Sequence, residues 1–220
     1  SNAIPGYDPA DERAWDLAHC VEVVPLSNAL PGACYASTGN SDGGRLLTID
    51  RFTGSATLVG DIPGVPAMSG LAINAQGEIY GMDALLSSNL YRINAATGEA
   101  VLIGNSNSPG PDGIAFDENG VLYVSETFGN AILHTVDTQT GASTSAMLMT
   151  GAASINLGGL AFDPTTGVLY ASSGNNAPGD DRIFTINTVT GVVTEVGSTG
   201  LGGNTPDIFF DEDGNLYGTK

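Results

Sequence analysis

Short apolar segments bounded by glycine, asparagine and aspartate recur along the chain in a fixed order. One phrase is an apolar segment followed by an Asp-x-x-Thr-Gly or Asn-x-x-Thr-Gly turn. It occurs at 46–54, 90–98, 133–141 and 183–191, so its final glycines are 44, 43 and 50 residues apart. This spacing predicts a repeat of about 45 residues.

A second phrase lies between the copies of the first. It reads Gly-Leu-Ala-Phe-Asp with small variations, begins at Gly70, Gly113 and Gly159, and returns in degenerate form at Asp207. A turn and a Leu-Tyr or Ile-Tyr pair follow each copy, and Tyr35 marks an earlier, more divergent one. These segments are β-branched or aromatic and show no helical period, so they predict strands joined by hairpins.

Each repeat supplies four strands, and four antiparallel strands in this length are typical of a β-propeller blade. We therefore predict an all-β protein, a β-propeller of four-stranded blades, about five in number. A β-sandwich is the alternative, but it does not explain the repeated phrases. Either residues 15–24 complete the last blade or the sequence is part of a longer array. The predicted divisions are a tag remnant at 1–3, an N-terminal extension at 4–20, and blades at about 21–60, 70–104, 113–149, 159–197 and, in part, 207–220.

The charge balance excludes some partners. The chain has 24 acidic and six basic residues, for a formal net charge of −18. Binding to nucleic acid or to anionic lipid requires clustered lysine and arginine, and the sequence has no such cluster. No apolar segment approaches the roughly 20 residues of a transmembrane helix. We expect no nucleic acid partner and no membrane insertion, while the acidity is compatible with cation binding.

The two cysteines, Cys20 and Cys34, bear on the cellular compartment. In a chain with one lysine and many Asn, Ser, Thr and Gly residues, we predict that they form a disulfide in an oxidising environment. Two unpaired thiols are the alternative. Their spacing matches no zinc-binding pattern. The expected location is therefore secreted, periplasmic or at the cell surface.

The order of the phrases, Gly-Leu-Ala-Phe-Asp, Gly-x-Leu-Tyr, Ile-Asp and Thr-Gly, resembles that of the NHL and gluconolactonase-type propellers. It is still more similar to uncharacterised secreted bacterial repeat proteins rich in Ile-Asp-x-x-Thr-Gly. The resemblance covers residues 33–220. It implies a propeller but does not imply one activity, because one fold supports many functions.

The resemblance also implies a candidate calcium site. Gluconolactonase-like propellers hold a divalent ion at the channel mouth through side chains next to the first strand of a blade. Asp112 and Asp207 occupy such positions here, and Asp83 and Glu126, at the ends of second strands, could approach them. Calcium takes six to eight oxygen ligands, and Asn156 or Asn204 would add further ones. The alternative is that both aspartates only cap turns.

The sequence offers no nucleophilic catalytic motif, such as a Gly-x-Ser-x-Gly elbow or a Cys–His arrangement. Phosphate-binding and dinucleotide-binding glycine motifs are also missing. Three functions stay open. The first is a non-catalytic extracellular module that binds a protein, a glycan or a small molecule. The second is a calcium-dependent lactonase or esterase, and the third is a structural repeat of a larger surface protein.

Overall fold

A computed structural model describes residues 26–39, 44–65, 67–83, 88–126, 131–151, 157–173, 181–200, 202 and 205–219. The described residues form seventeen strands and no helix. None of their segments could cross a lipid bilayer as an apolar helix. The predicted tag remnant, the N-terminal extension, Cys20 and the start of the first blade at residue 21 lie outside the described residues.

The strands form five consecutive antiparallel sheets, each built from neighbours in sequence. The first sheet has three strands, the next three sheets have four each, and the last has two. The described residues therefore contain four blades and a two-stranded sheet in the place of a fifth. The predicted β-propeller of four-stranded blades is confirmed. In sheet order the strands are β1 (Cys34–Ser37), β2 (Arg45–Ile49), β3 (Ala56–Asp61); β4 (Gly70–Ile73), β5 (Ile79–Met82), β6 (Asn89–Ile93), β7 (Ala100–Asn105); β8 (Pro111–Phe116), β9 (Leu122–Glu126), β10 (Ile132–Val136), β11 (Ser143–Leu148); β12 (Leu157–Phe162), β13 (Leu169–Ser173), β14 (Arg182–Ile186), β15 (Val193–Ser198); β16 (Ile208–Phe210), β17 (Leu216–Gly218).

The Asx-x-x-Thr-Gly phrase forms the hairpin between the third and fourth strands of a blade. The Oδ1 atom of Asp137 accepts hydrogen bonds from the backbone N–H groups of Gln139, at 2.7 Å, and Thr140, at 2.9 Å. Gly141 follows with φ of 73°, a left-handed conformation that glycine adopts without steric cost. Asp50 and Asn187 accept the same pair of bonds, and Asn94 accepts the first of the two, so local side-chain chemistry encodes this turn.

Aromatic pairs join the second blade to the third, the third to the fourth, and the fourth to the last sheet. The tyrosine of a second strand packs against the phenylalanine of the following inner strand, with ring centroids 5.2 to 5.3 Å apart. Tilted or edge-to-face contacts at this distance stabilise beyond the area that they bury. The three pairs are Tyr80–Phe116, Tyr123–Phe162 and Tyr170–Phe210. The core therefore lies between blades, and each repeat depends on its neighbour.

The segment before β1 is held against the second blade. The Ala29 N–H donates to the Gly77 carbonyl at 2.6 Å, and the Ala95 N–H donates to the Ser27 carbonyl at 2.9 Å. The buried Arg92 donates to the Asn28 side chain at 2.7 Å. These bonds place 26–30 across the turns of the second blade as irregular backbone rather than as a strand.

Candidate functional site

Glycines let the inner strands approach one another closely around the propeller axis. The inner strands β4, β8, β12 and β16 contact one another in sequence order. A Cβ atom placed on Gly70 would lie 2.6 Å from the Asp112 carbonyl oxygen, and one on Gly113 would clash with the Gly158 carbonyl. Only glycine fits between backbones this close, which explains the first residue of the Gly-Leu-Ala-Phe phrase.

Asp112 lies in a β-bulge. The pairing of β8 with β9 shifts between Pro111 and Ile114, so that Asp112 and Gly113 together face one residue, Ser125. The Gly113 N–H donates to the Ser125 hydroxyl at 3.0 Å. A bulge redirects side chains relative to the regular alternation of a strand, and here it leaves Asp112 on the residue before the tightly packed glycine.

Asp207 occupies the position of the glycine itself. Its N–H donates to the Thr219 hydroxyl at 3.2 Å, as the N–H of Gly113 does to Ser125. A Cβ atom on Gly159 would lie 2.5 Å from the Asp207 Oδ1 atom. The two candidate aspartates are therefore offset by one residue in the repeat, and Gly159 leaves the space into which the Asp207 carboxylate fits.

The Asp112 and Asp207 carboxyl groups share one electrostatic environment. Burial, and to a lesser extent the charge of Asp207, together raise the pKa of Asp112 to about 7. Burial also raises the pKa of Asp207 to about 7, although a hydrogen bond from the Ile208 N–H opposes this. Within the described part of the chain, no lysine, arginine or histidine pairs with either carboxylate. A cation or a hydrogen-bond donor placed between them would relieve the cost of ionising both.

The other two predicted ligands are less well placed. Glu126 lies opposite Pro111 in the β8–β9 pairing, but its Oε2 atom is 3.0 Å from the Nε2 atom of His134. Asp83 directly follows β5 and is buried. Among the residues that the structure describes, no three histidine, cysteine or acidic side chains are grouped to hold a metal ion. Asn156 and Asn204 lie outside those residues, so the calcium site stays a prediction.

The buried Glu126–His134 pair escaped the sequence reasoning. The His134 Nδ1 atom lies 3.1 Å from the Ser143 hydroxyl, so both ring nitrogens have a partner. His134 occupies a position that holds leucine, tyrosine and phenylalanine in the other blades, at Leu47, Tyr91 and Phe184. The sequence did contain a signal for this pair, namely a histidine at a position that is apolar or aromatic in the other repeats.

Of the two cysteines in the predicted disulfide, Cys34 lies within the described residues and Cys20 lies outside them. Cys34 is half-buried on β1 and has no disulfide partner among the residues described. The pairing of Cys20 with Cys34 stays a prediction.

Comparison with known proteins gives a family and a fold. A family model described as a repeat of unknown function (DUF6923) matches residues 71–217. No curated protein is close enough in sequence to count as a match.

Several solved propellers are similar in structure. A chain of a nidogen/laminin complex matches with a TM-score of 0.59 at 22% identity, over 86% of this chain and 69% of that chain. A gluconolactonase from Xanthomonas campestris gives 0.57 at 19%, over 84% and 68%. Virginiamycin B lyase from Staphylococcus aureus gives 0.54 at 17%, over 89% and 66%. At these identities the likeness shows the fold alone, and the chain spans about two thirds of each solved chain's length.

Proposed function

The chain belongs to the family described as a repeat of unknown function (DUF6923), and from that premise we propose that it is a non-catalytic ligand-binding propeller. Its ligand binds at the end of the axis where Asp112 and Asp207 lie. The ligand is either a metal cation such as Ca²⁺ or a positively charged group of a protein, a glycan or a small molecule. The module acts outside the cytoplasm, in a secreted, periplasmic or surface-attached protein.

One observation carries this proposal. Two carboxyl groups are partly buried, the charge of one raises the pKa of the other, and no basic side chain of the described residues pairs with either of them. Unpaired buried acids are costly for folding, so they are usually kept where a ligand compensates them. The net charge of −18 attracts cations to the whole surface, which favours the same class of ligand.

A calcium-dependent lactonase or esterase is the second candidate, and it would use the same two aspartates. In that case a bound Ca²⁺ would polarise the carbonyl group of the substrate. The described residues supply two carboxylates there, and Ca²⁺ takes six to eight oxygen ligands. The hydrolase would therefore need ligands from outside the described residues, which is why we place binding before catalysis. The third candidate, a structural repeat of a larger surface protein, is compatible with either.

The test is a calorimetric titration of chelator-stripped protein with Ca²⁺. We expect saturable binding by the wild type and its loss in an Asp112→Asn/Asp207→Asn double variant. A Glu118→Gln/Glu212→Gln variant is the matched control, because it removes the same charge from exposed turns. Equal binding by both double variants, or no binding by the wild type, would contradict a cation site at these aspartates. If binding is confirmed, a screen of lactones and esters separates the first candidate from the second.

A further inference from the structure

Among the residues that the structure describes, the last sheet lacks the third strand that pairs with the second strand in the complete blades. In the three four-stranded blades the second strand, β5, β9 or β13, pairs with a strand on each side. Its counterpart β17 pairs only with β16 among the described residues. Within the described part of the chain nothing pairs with the outer side of β17, and an edge of this kind can pair with another extended segment.

Side-chain exposure shows what this edge lacks. The first residue of the second strand is fully buried in the complete blades, with exposed fractions of 0% for Ile79, 0% for Leu122 and 1% for Leu169. Its counterpart Leu216 is 39% exposed. In each complete blade an isoleucine or valine of the third strand lies directly opposite, at Ile93, Val136 and Ile186. Leu216 has no such cross-strand partner in the described part of the chain.

The aromatic surface beside Leu216 is exposed as well. Phe209 is 38% exposed and stacks on Tyr217, with ring centroids 5.0 Å apart and planes at 11°. In the second blade the tyrosine at this position, Tyr80, is covered by the third-strand residue Arg92, whose guanidinium lies 5.5 Å from the ring centroid. A third strand that carries an arginine at this position would cover Tyr217 in the same way.

We propose that the outer edge of β17 is a docking site for a hairpin with the third- and fourth-strand phrases of this same repeat. The hairpin adds to the edge in the register that the complete blades show, with its isoleucine opposite Leu216. Main-chain hydrogen bonds supply affinity, and the burial of Leu216 and Tyr217 supplies specificity. The proposal is independent of a ligand at Asp112 and Asp207, because the docking site lies on a different sheet edge.

The probe is a synthetic peptide of residues 89–105, which contains Arg92, Ile93 and the Thr97-Gly98 turn. We expect saturable binding to the full chain, and slower hydrogen exchange at the outward-facing amides of Leu216 and Gly218 when the peptide is bound. An Ile93→Asp peptide should bind about ten- to a hundredfold more weakly, because the contact with Leu216 is lost. This peptide control leaves the protein itself unchanged.

A Leu216→Glu protein variant should weaken binding by a similar factor. A Val189→Glu variant, altered in an exposed turn of the fourth blade, should bind like the wild type. The proposal is overturned if no peptide binds, if the wild-type and Ile93→Asp peptides bind equally, or if Leu216→Glu has no effect. Amides of Leu216 and Gly218 that are already protected in the free protein would also overturn it, since these two face away from β16 and the edge would then be occupied within the chain.

Discussion

At the scale of single residues, Asp112 and Asp207 make stability depend on pH in an unusual direction. The pKa of each is raised to about 7 in the folded protein, whereas aspartate in an unfolded chain ionises near a pH of about 3.9. Between these values the folded state binds more protons than the unfolded state. The free energy of unfolding should therefore fall as the pH rises from about 4 to about 7.

An Asp112→Asn substitution should remove part of this effect. We expect it to raise the free energy of unfolding by about 1–3 kcal/mol at about pH 8 and to change it little at about pH 4.5. Denaturant unfolding of the wild type and the variant at both pH values measures the difference. An exposed control, Glu118→Gln, should show no such pH dependence. A stabilisation of equal size at both pH values would contradict the raised pKa.

His134 and Glu126 form a second residue-scale feature, a buried pair in one blade only. Because His134→Phe would leave Glu126 buried without this partner, we expect it to destabilise the protein by about 3–5 kcal/mol. The double variant His134→Phe/Glu126→Ser copies the residues of the fourth blade, Phe184 and Ser173, and should recover most of the loss. Chemical denaturation of the wild type, both single variants and the double variant gives the coupling energy. Additive effects would show that the pair is not coupled.

At the scale of the strand, two glycines of the fourth blade are required for different reasons, one for close packing of strands and the other for the conformation of a turn. Gly159 must lack a Cβ atom because Asp207 and Ile208 lie against it, whereas Gly167 has open space around it and needs only its φ of 70°. The two glycines therefore respond differently to the same substitution.

We expect Gly159→Ala to cost about 1–3 kcal/mol or more, since β12 and β16 would have to separate. Gly167→Ala should cost about 1–2 kcal/mol, from backbone strain alone. Thermal or denaturant unfolding measures both losses. Because Gly159 also leaves space for the Asp207 carboxylate, only its substitution should weaken cation binding at that site. Equal effects of the two variants on binding would contradict this packing role.

At the scale of the whole molecule, contacts between the first and last sheets show how the array curves. Arg51, in the first blade, lies 3.7 Å from the Asp211 carboxylate in the last sheet, and Tyr217 donates to the same carboxylate at 3.2 Å. Arg51 takes the position that Thr138 holds in the third blade, where the Thr138 side chain bonds to Tyr80 of the second blade. The last sheet therefore meets the first in the way that one blade meets the next.

The candidate site was predicted in part. The position of Asp112 and Asp207 before or within the inner-strand phrase was visible in the sequence, because the phrase repeats and the aspartates depart from it. The one-residue offset between them was visible too, since Asp207 begins the last copy of the phrase whereas Asp112 precedes Gly113. The bulge in β8 that forms against Ser125 was not visible, because it depends on the pairing of two strands. The partner of Glu126 was also missed, since His134 comes from another strand and its contact requires the folded blade.

The sequence by itself determined the repeat, the four strands of each complete blade and the turns between them. The physical reason is that strand alternation and Asx-Gly turn chemistry act within a few neighbouring residues. Only the tertiary structure decided that the charge of Asp207 acts on Asp112, that the first and last sheets touch, and that β17 has one strand neighbour within the described part of the chain. Those features depend on the distance between strands of different blades, and no local pattern specifies that distance.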